Sequence, residues 1–260
     1  MMRAFGHIES AVSNLERLPR LCYIRFVFAS VINFTAIGSG GIALSAKTKK
    51  TARNDKPKAN NHRKAVLHLR ESDPVLAAII ERIGPCKIEF GEPTFHTLAE
   101  SILYQQLNGK AAATIFSRFT ALAGDPLTPQ GILKLTDTQM REVGLSRQKT
   151  SYLRDLAAKT NAGLLEFERL AEMTEEDVIA HLTQVKGVGV WTAHMFLMFT
   201  LQRPDILPTG DYGVQAAIKK HYKKRKWPKP DVMHKIAKPW VPYRSIACWY
   251  LWRSLDVKTI

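Results

Sequence analysis

From about residue 66 onward, apolar positions recur at three- and four-residue spacing, the period of a helix that hides one face. Asp73-Pro74 reads as an N-cap with proline at the first helical position, opening Val75–Ile83, and Gly84-Pro85 closes it. Pro93 starts the next stretch, where Phe95, Leu98, Ile102, Leu103 and Leu107 mark one face. Ala111–Leu122 continues as a small-residue helix ended by Gly124. Thr136-Asp-Thr-Gln139 has the form of a capping box. Ser146 caps a helix bearing Tyr152, Leu153, Leu156 and Ala157, and Thr174 opens Val178–Leu182. Val190–Leu201, Tyr212–Tyr222 and Tyr243–Ser254 complete the helical pattern. Strand alternation is scarce, so the fold class is mainly α.

Upstream the pattern changes. Within residues 21–46, Phe26–Leu44 is an apolar run interrupted by Asn33, Thr35 and Gly38-Ser-Gly-Gly41. Roughly 20 apolar residues can span a bilayer, and arginines precede this run. It reads either as a targeting or anchoring segment or as a poorly ordered extension. Lys47–Lys64 is polar and basic, a disordered linker or a phosphate-contacting arm. Gly41–Thr48 falls short of a phosphate-binding loop, because Ala46 stands where the second glycine must let the backbone wrap an anion. The predicted organisation is an extension over 1–64 and a folded domain over 65–260.

The 260 residues carry 38 Lys/Arg against 23 Asp/Glu, a formal net charge of +15. Residues 1–64 supply +9 of it, and the rest of the chain is still basic. Such a charge points to a polyanionic partner, nucleic acid first and an anionic membrane second. Three distant cysteines exclude a disulfide scaffold, show no zinc spacing and cannot hold a four-cysteine iron–sulfur cluster. A reducing, intracellular compartment, cytoplasm or nucleoid, fits them.

The most informative stretch is Leu182–Ala193, where a helix ends, Lys186-Gly187-Val188-Gly189 turns the chain, and a second helix starts at once. Two glycines let the backbone turn tightly and approach a ligand. The free N–H groups opening the second helix then form an anion site suited to a DNA phosphate. An ordinary αα-hairpin also uses glycine in its turn.

Val185-Lys-Gly187-Val-Gly189-Val-Trp191-Thr192-Ala193, followed by Leu207-Pro208-Thr-Gly210-Asp211, resembles the helix-hairpin-helix DNA glycosylase superfamily. Trp191-Thr192-Ala193, Pro242-Tyr243-Arg244-Ser245 and Trp249-Tyr250-Leu251-Trp252 look like its 3-methyladenine DNA glycosylase II branch. The resemblance covers about residues 66–256. It implies a bilobal helix-hairpin-helix fold, with one lobe near 96–200 and another from 73–83 plus 212–256; residues 1–64, read from their composition as a disordered basic extension, have no part in the resemblance. It also implies a monofunctional enzyme, working as a monomer on double-stranded DNA, that excises alkylated purines of the 3-methyladenine and 7-methylguanine type.

The resemblance makes Asp211 the catalytic aspartate; the residue also stands where an N-cap would. A lysine just after the hairpin marks the superfamily's lyase members, and here that position is Trp191. Trp191, Tyr212 and Trp252 are candidates for the pocket of an extruded base, each with a core-packing alternative. Gln106 or Leu107, in Tyr104–Asn108, matches the family's wedge in the minor groove. Lys186, Gly187, Val188, Gly189 and Thr192 are the implied DNA contacts. Backbone carbonyls of Thr183, Val185 and Val188 match a family site for a monovalent cation; no other cofactor is implied. Lys219–Lys226 is a dense basic run, either a phosphate contact or a solvated helix end. The rival readings are a non-catalytic DNA-binding module, a glycosylase for another lesion class and a membrane-associated basic protein.

Overall fold

The computed structural model describes residues 58–107 and 109–256. The apolar segment, the loop-like Gly41–Thr48 and most of the basic linker lie outside the described residues. Twelve α-helices and two 3-10 turns account for the regular structure, and no strand occurs among the described residues. None of these helices is long and apolar enough to cross a membrane.

The described residues divide into two compact units. The first comprises 89–203 and 211–213. It holds α3 (Phe95–Tyr104), α4 (Gly109–Ala123), α5 (Pro129–Leu133), α6 (Asp137–Glu142), α7 (Arg147–Asn161), α8 (Glu175–Thr183) and α9 (Val190–Phe199). Capping residues set these starts. Thr94, Thr128, Ser146 and Thr174 each accept a backbone N–H of the first turn, and Thr136 with Gln139 completes the reciprocal capping box. The cap at Thr94 moves the start of α3 two residues past the proline that announced it. Leu107 then falls beyond the end of α3 and is only half-buried, so it does not belong to the apolar face. Leu98, Ile102, Phe119, Ile132, Met140, Leu153, Leu156 and Leu182 close the core at zero exposure. Helix α9 is buried nearly all round, from Thr192 to Phe199.

The second unit, over its described residues, comprises the chain up to 88, then 204–210 and 214–256. Its helices are α1 (Lys58–Ser72), α2 (Pro74–Ile83), most of α10 (Tyr212–His221), α11 (Pro230–Ala237) and α12 (Arg244–Asp256). Lys58 to Lys64, expected as the end of a linker, are instead the first turns of α1. Ala65 and Leu69 on the same helix are buried, and α1 packs on α2. Tertiary burial thus stabilises a segment whose own composition is polar.

Asp73 is the hub of this unit. Its Oδ1 accepts the N–H groups of Val75 (2.8 Å) and Leu76 (3.1 Å), and its Oδ2 accepts Tyr222 Oη–H (2.6 Å) and Trp240 Nε1–H (2.8 Å). The carboxylate is buried, so these donors replace its lost water. Burial, followed by the bond to Asp73, pushes the Tyr222 hydroxyl far above its ordinary range. Segment 204–210 is fastened to the start of α12. Arg244 grips Asp205 through Nε (2.7 Å) and Nη2 (2.8 Å), Ser245 N–H donates to Pro204 O (2.9 Å), and Ile206 N–H donates to Ser245 Oγ (3.0 Å). Arg244 and Ser245 therefore anchor the loop from which the chain enters position 211.

Candidate functional site

The hairpin lies in the first unit, between α8 and α9. Helix α8 ends at Thr183, and Val185 N–H returns to Leu182 O at 3.1 Å. Gly187 takes φ +80°, the left-handed region that favours glycine. A Cβ there would stand 2.1 Å from the ring of Tyr152, a side chain of α7. Gly189 differs. Its φ is ordinary at −97°, and a Cβ would meet nothing within 4 Å. The space before Gly189 is open, and Val190, the next residue, is 53% exposed. Side chains of Val185 and Val188 are buried beneath the turn, while Lys186, Gly187 and Gly189 face solvent.

Helix α7 supports the turn from below. Asp155 Oδ2 accepts the Lys186 backbone N–H at 2.8 Å and the Lys159 ammonium at 2.5 Å, and Lys186 Nζ lies 4.0 Å from Oδ1. Burial, the largest single influence on the Asp155 carboxyl, pushes it upward. The bonds from Lys159 and Lys186, together with their charges, outweigh that push and hold it below its ordinary value. Tyr152 fills the space under Gly187 and takes a bond from Gln148 Nε2 (2.6 Å). From the other side, Gln105 Nε2 donates to Gly187 O at 3.0 Å. The turn is thus held at an amide, a carbonyl and a Cα.

Gln105 opens the short turn after α3. Gln106 comes next with φ +61°, exposed, and Leu107 N–H reaches back to Tyr104 O at 3.4 Å. A non-glycine residue in this region is uncommon and signals a turn held by its surroundings.

Asp211 sits immediately before α10, only 3% exposed. Trp191, in the first turn of α9, donates its indole Nε1–H to Asp211 Oδ2 at 2.7 Å. Two residues twenty positions apart are thereby joined in one polar contact within the first unit. A short bond to a carboxylate fixes its direction. Thr209 O is engaged by Gln215 Nε2 at 2.7 Å, which ties the Pro208–Gly210 turn to α10.

The remaining sequence candidates are dispersed. Tyr212 is half-buried at the start of α10, and Trp252 is 3% exposed on α12 in the second unit. Thr192 is buried, 5% exposed, because it lies on the core side of α9. Sequence reasoning missed Tyr152 and Asp155 beneath the hairpin, Lys149 beneath the α3 turn, and the hydrogen bond of Trp191. No spacing signals them, since each acts across elements distant in the chain.

In sequence and fold the chain is similar to known proteins. Residues 99–242 match the family described as HhH-GPD superfamily base excision DNA repair protein. DNA-3-methyladenine glycosylase 1 of Schizosaccharomyces pombe is 32% identical over 198 residues, spanning 74% of this chain and 86% of that one. Among solved structures, the Bacillus halodurans DNA-3-methyladenine glycosidase superposes with a TM-score of 0.66 at 34% identity, over 73% of this chain and 88% of that one. The Schizosaccharomyces pombe 3-methyladenine DNA glycosylase in complex with abasic DNA gives a TM-score of 0.65 at 31% identity, over 76% of this chain and all of that one.

Proposed function

Since the chain belongs to the HhH-GPD superfamily of base excision DNA repair proteins, we propose that it is a monofunctional DNA glycosylase that excises alkylated purines from duplex DNA. Its substrates are bases of the 3-methyladenine and 7-methylguanine type, and its product is an abasic site. It acts inside the cell, as a monomer. The observation that carries this reading is the buried Asp211 carboxylate held by Trp191.

The chemistry starts from that pair. Alkylation makes the purine a better leaving group. As the C1′–N bond breaks, its electron pair leaves with the base and positive charge develops on the sugar. A fixed anion in a poorly hydrated site stabilises that charge more than mobile water does. Water then forms the C1′–O bond, and its proton passes to Asp211 or to solvent. The indole of Trp191 cannot form a Schiff base, which supports hydrolysis without strand cleavage. The target base must leave the stack to meet Asp211. Trp191 borders the carboxylate in space and Tyr212 borders it in sequence, and the two supply aromatic surface for the extruded base. Gln106 and Leu107 fill the gap it leaves. The main chain of 186–189 holds a phosphate, helped by the start of α9.

The hairpin also offers carbonyl oxygens of Thr183, Val185 and Val188 to a monovalent cation, the donor chemistry that such an ion takes. Val185 O already accepts Val188 N–H at 3.0 Å, which leaves its second lone pair. Bound there, the ion would add positive charge beside the phosphate.

The decisive experiment incubates the protein with methylated duplex DNA and separates free bases by chromatography, beside an Asp211→Asn variant. Release of methylpurines by the wild type, falling about 100-fold or more in the variant, is expected. Binding without release would make the chain a DNA-binding module instead.

A further inference from the structure

Helix α7 carries a lysine whose ammonium is turned inward. Lys149 Nζ donates to three backbone carbonyls at the end of α3: Ile102 O at 3.2 Å, Leu103 O, and Gln105 O at 2.6 Å. A helix leaves its last carbonyls without intrahelical partners, and its C-terminus carries partial negative charge. Helix α3 ends without glycine, at Gln105 with φ −52°, and Gln105 N–H reaches Ile102 O only at 3.4 Å. Its terminal carbonyls are therefore satisfied by the side chain of another helix. An ammonium has three N–H groups, and three acceptors are present.

The turn beyond Gln105 gives the arrangement its meaning. The chain immediately enters the left-handed Gln106 and then Leu107, the residues proposed above to fill the gap left by an extruded base. Gln105 points its own amide to Gly187 O in the hairpin. We infer that Lys149 is a positioning residue, which fixes the Gln106–Leu107 turn in the register needed to open the base stack. It touches neither DNA nor the reacting bond and acts through the carbonyls that it holds. This role rests on the glycosylase reading for its purpose, but not for its geometry.

The test uses the full chain and a duplex carrying 7-methylguanine beside 2-aminopurine, whose fluorescence rises on unstacking. Lys149→Met is expected to bind this duplex within about threefold of wild type, because the hairpin is intact, while unstacking is lost and single-turnover release falls about 10- to 100-fold. Lys149→Arg, which keeps a cation with several donors, is expected to recover most of both. In a Gln106→Ala, Leu107→Ala background, adding Lys149→Met should cost little more, since both changes strike one device. Hydrogen exchange provides a measurement that needs no catalysis. In Lys149→Gln, faster exchange confined to the amides of Gln106 and Leu107 is expected, with the rest of the first unit protected as before.

Unstacking and release at wild-type levels in Lys149→Met would overturn the role, as would full additivity with the turn variants or unchanged exchange at the turn. Wild-type protein that unstacks the duplex yet releases no base would sink the glycosylase reading alone, leaving Lys149 to be judged on unstacking. Wild type that neither unstacks nor releases would overturn both.

Discussion

The ring of Tyr152 occupies the space in which a side chain at position 187 would stand: a Cβ on Gly187 would lie 2.1 Å from Tyr152 Cδ2. Together with φ +80° at that glycine, this leaves no room for an ordinary residue. Gly187→Ala must either push Tyr152 off the hairpin or distort the turn, and a loss of about 1–3 kcal/mol is expected in denaturant unfolding. DNA affinity should fall with it. Gly189→Ala separates the two effects, because its Cβ meets open space at an ordinary φ. Its stability should stay near wild type while affinity for duplex DNA falls, and a titration beside a melting curve reads both.

Trp191→Phe keeps an aromatic ring and removes the indole N–H from Asp211. A hydrogen bond to a charged group contributes about 1.5–3 kcal/mol. If that bond aligns the carboxylate with the developing charge, single-turnover base release drops about 10- to 100-fold. Affinity for undamaged DNA should hardly change, since the hairpin is untouched. Release at the wild-type rate would remove the indole from the catalytic arrangement.

Asp73 is expected to matter for stability and not for chemistry. Asp73→Ala strips an N-cap and leaves the Tyr222 hydroxyl and the Trp240 indole N–H without their acceptor. The mechanism predicts a loss of about 2–4 kcal/mol in unfolding experiments. Tyr222→Phe should cost less, about 1 kcal/mol, because only one donor disappears. Below the melting transition both variants should release base at rates close to wild type.

Lys149 predicts opposite pH trends for activity and stability. Burial lowers its ammonium to about 8, and no charged side chain contributes to that shift. An unfolded lysine titrates near 10.4, so between about 8 and 10.4 the unfolded chain binds more protons than the folded one. This group's contribution to stability therefore rises with pH across that window. The clamp on α3 needs the ammonium and weakens as the pH rises through about 8. Base release should decline above about pH 8 in wild type and stay flat there in Lys149→Arg, whose guanidinium does not titrate. A decline of equal size in both proteins would mean that another group sets it.

The parts of the fold written locally were legible in the sequence. Thr136, Ser146 and Thr174 announce their helices because a capping side chain bonds a backbone group within three residues. The hairpin was legible for the same reason, since its glycines and the helix behind it lie in one short run. Helix α1 was not, because Lys58–Lys64 is polar and becomes helical only with α2 to pack against. Helix α11 was also missed, although Lys229-Pro230 carries a start signal, proline at the first helical position. At the candidate site, Asp211 and Trp191 could be named from their motif, but the hydrogen bond joining them could not. Asp155 and Lys149 read as ordinary charges on a helix surface. Only the approach of the hairpin and of the end of α3 turns them inward.

Helix α7 acts as a ruler. Lys149 secures the turn after α3 and Asp155 secures the hairpin, and the two lie six positions apart on one helix. At about 1.5 Å per residue their axial spacing is about 9 Å. That is comparable to two or three base steps of a duplex strand, at about 3.4 Å each. One residue inserted between positions 149 and 155 would rotate one fastening about 100° away from the other. The length of this stretch therefore cannot change without parting the fastening of the α3 turn from that of the hairpin.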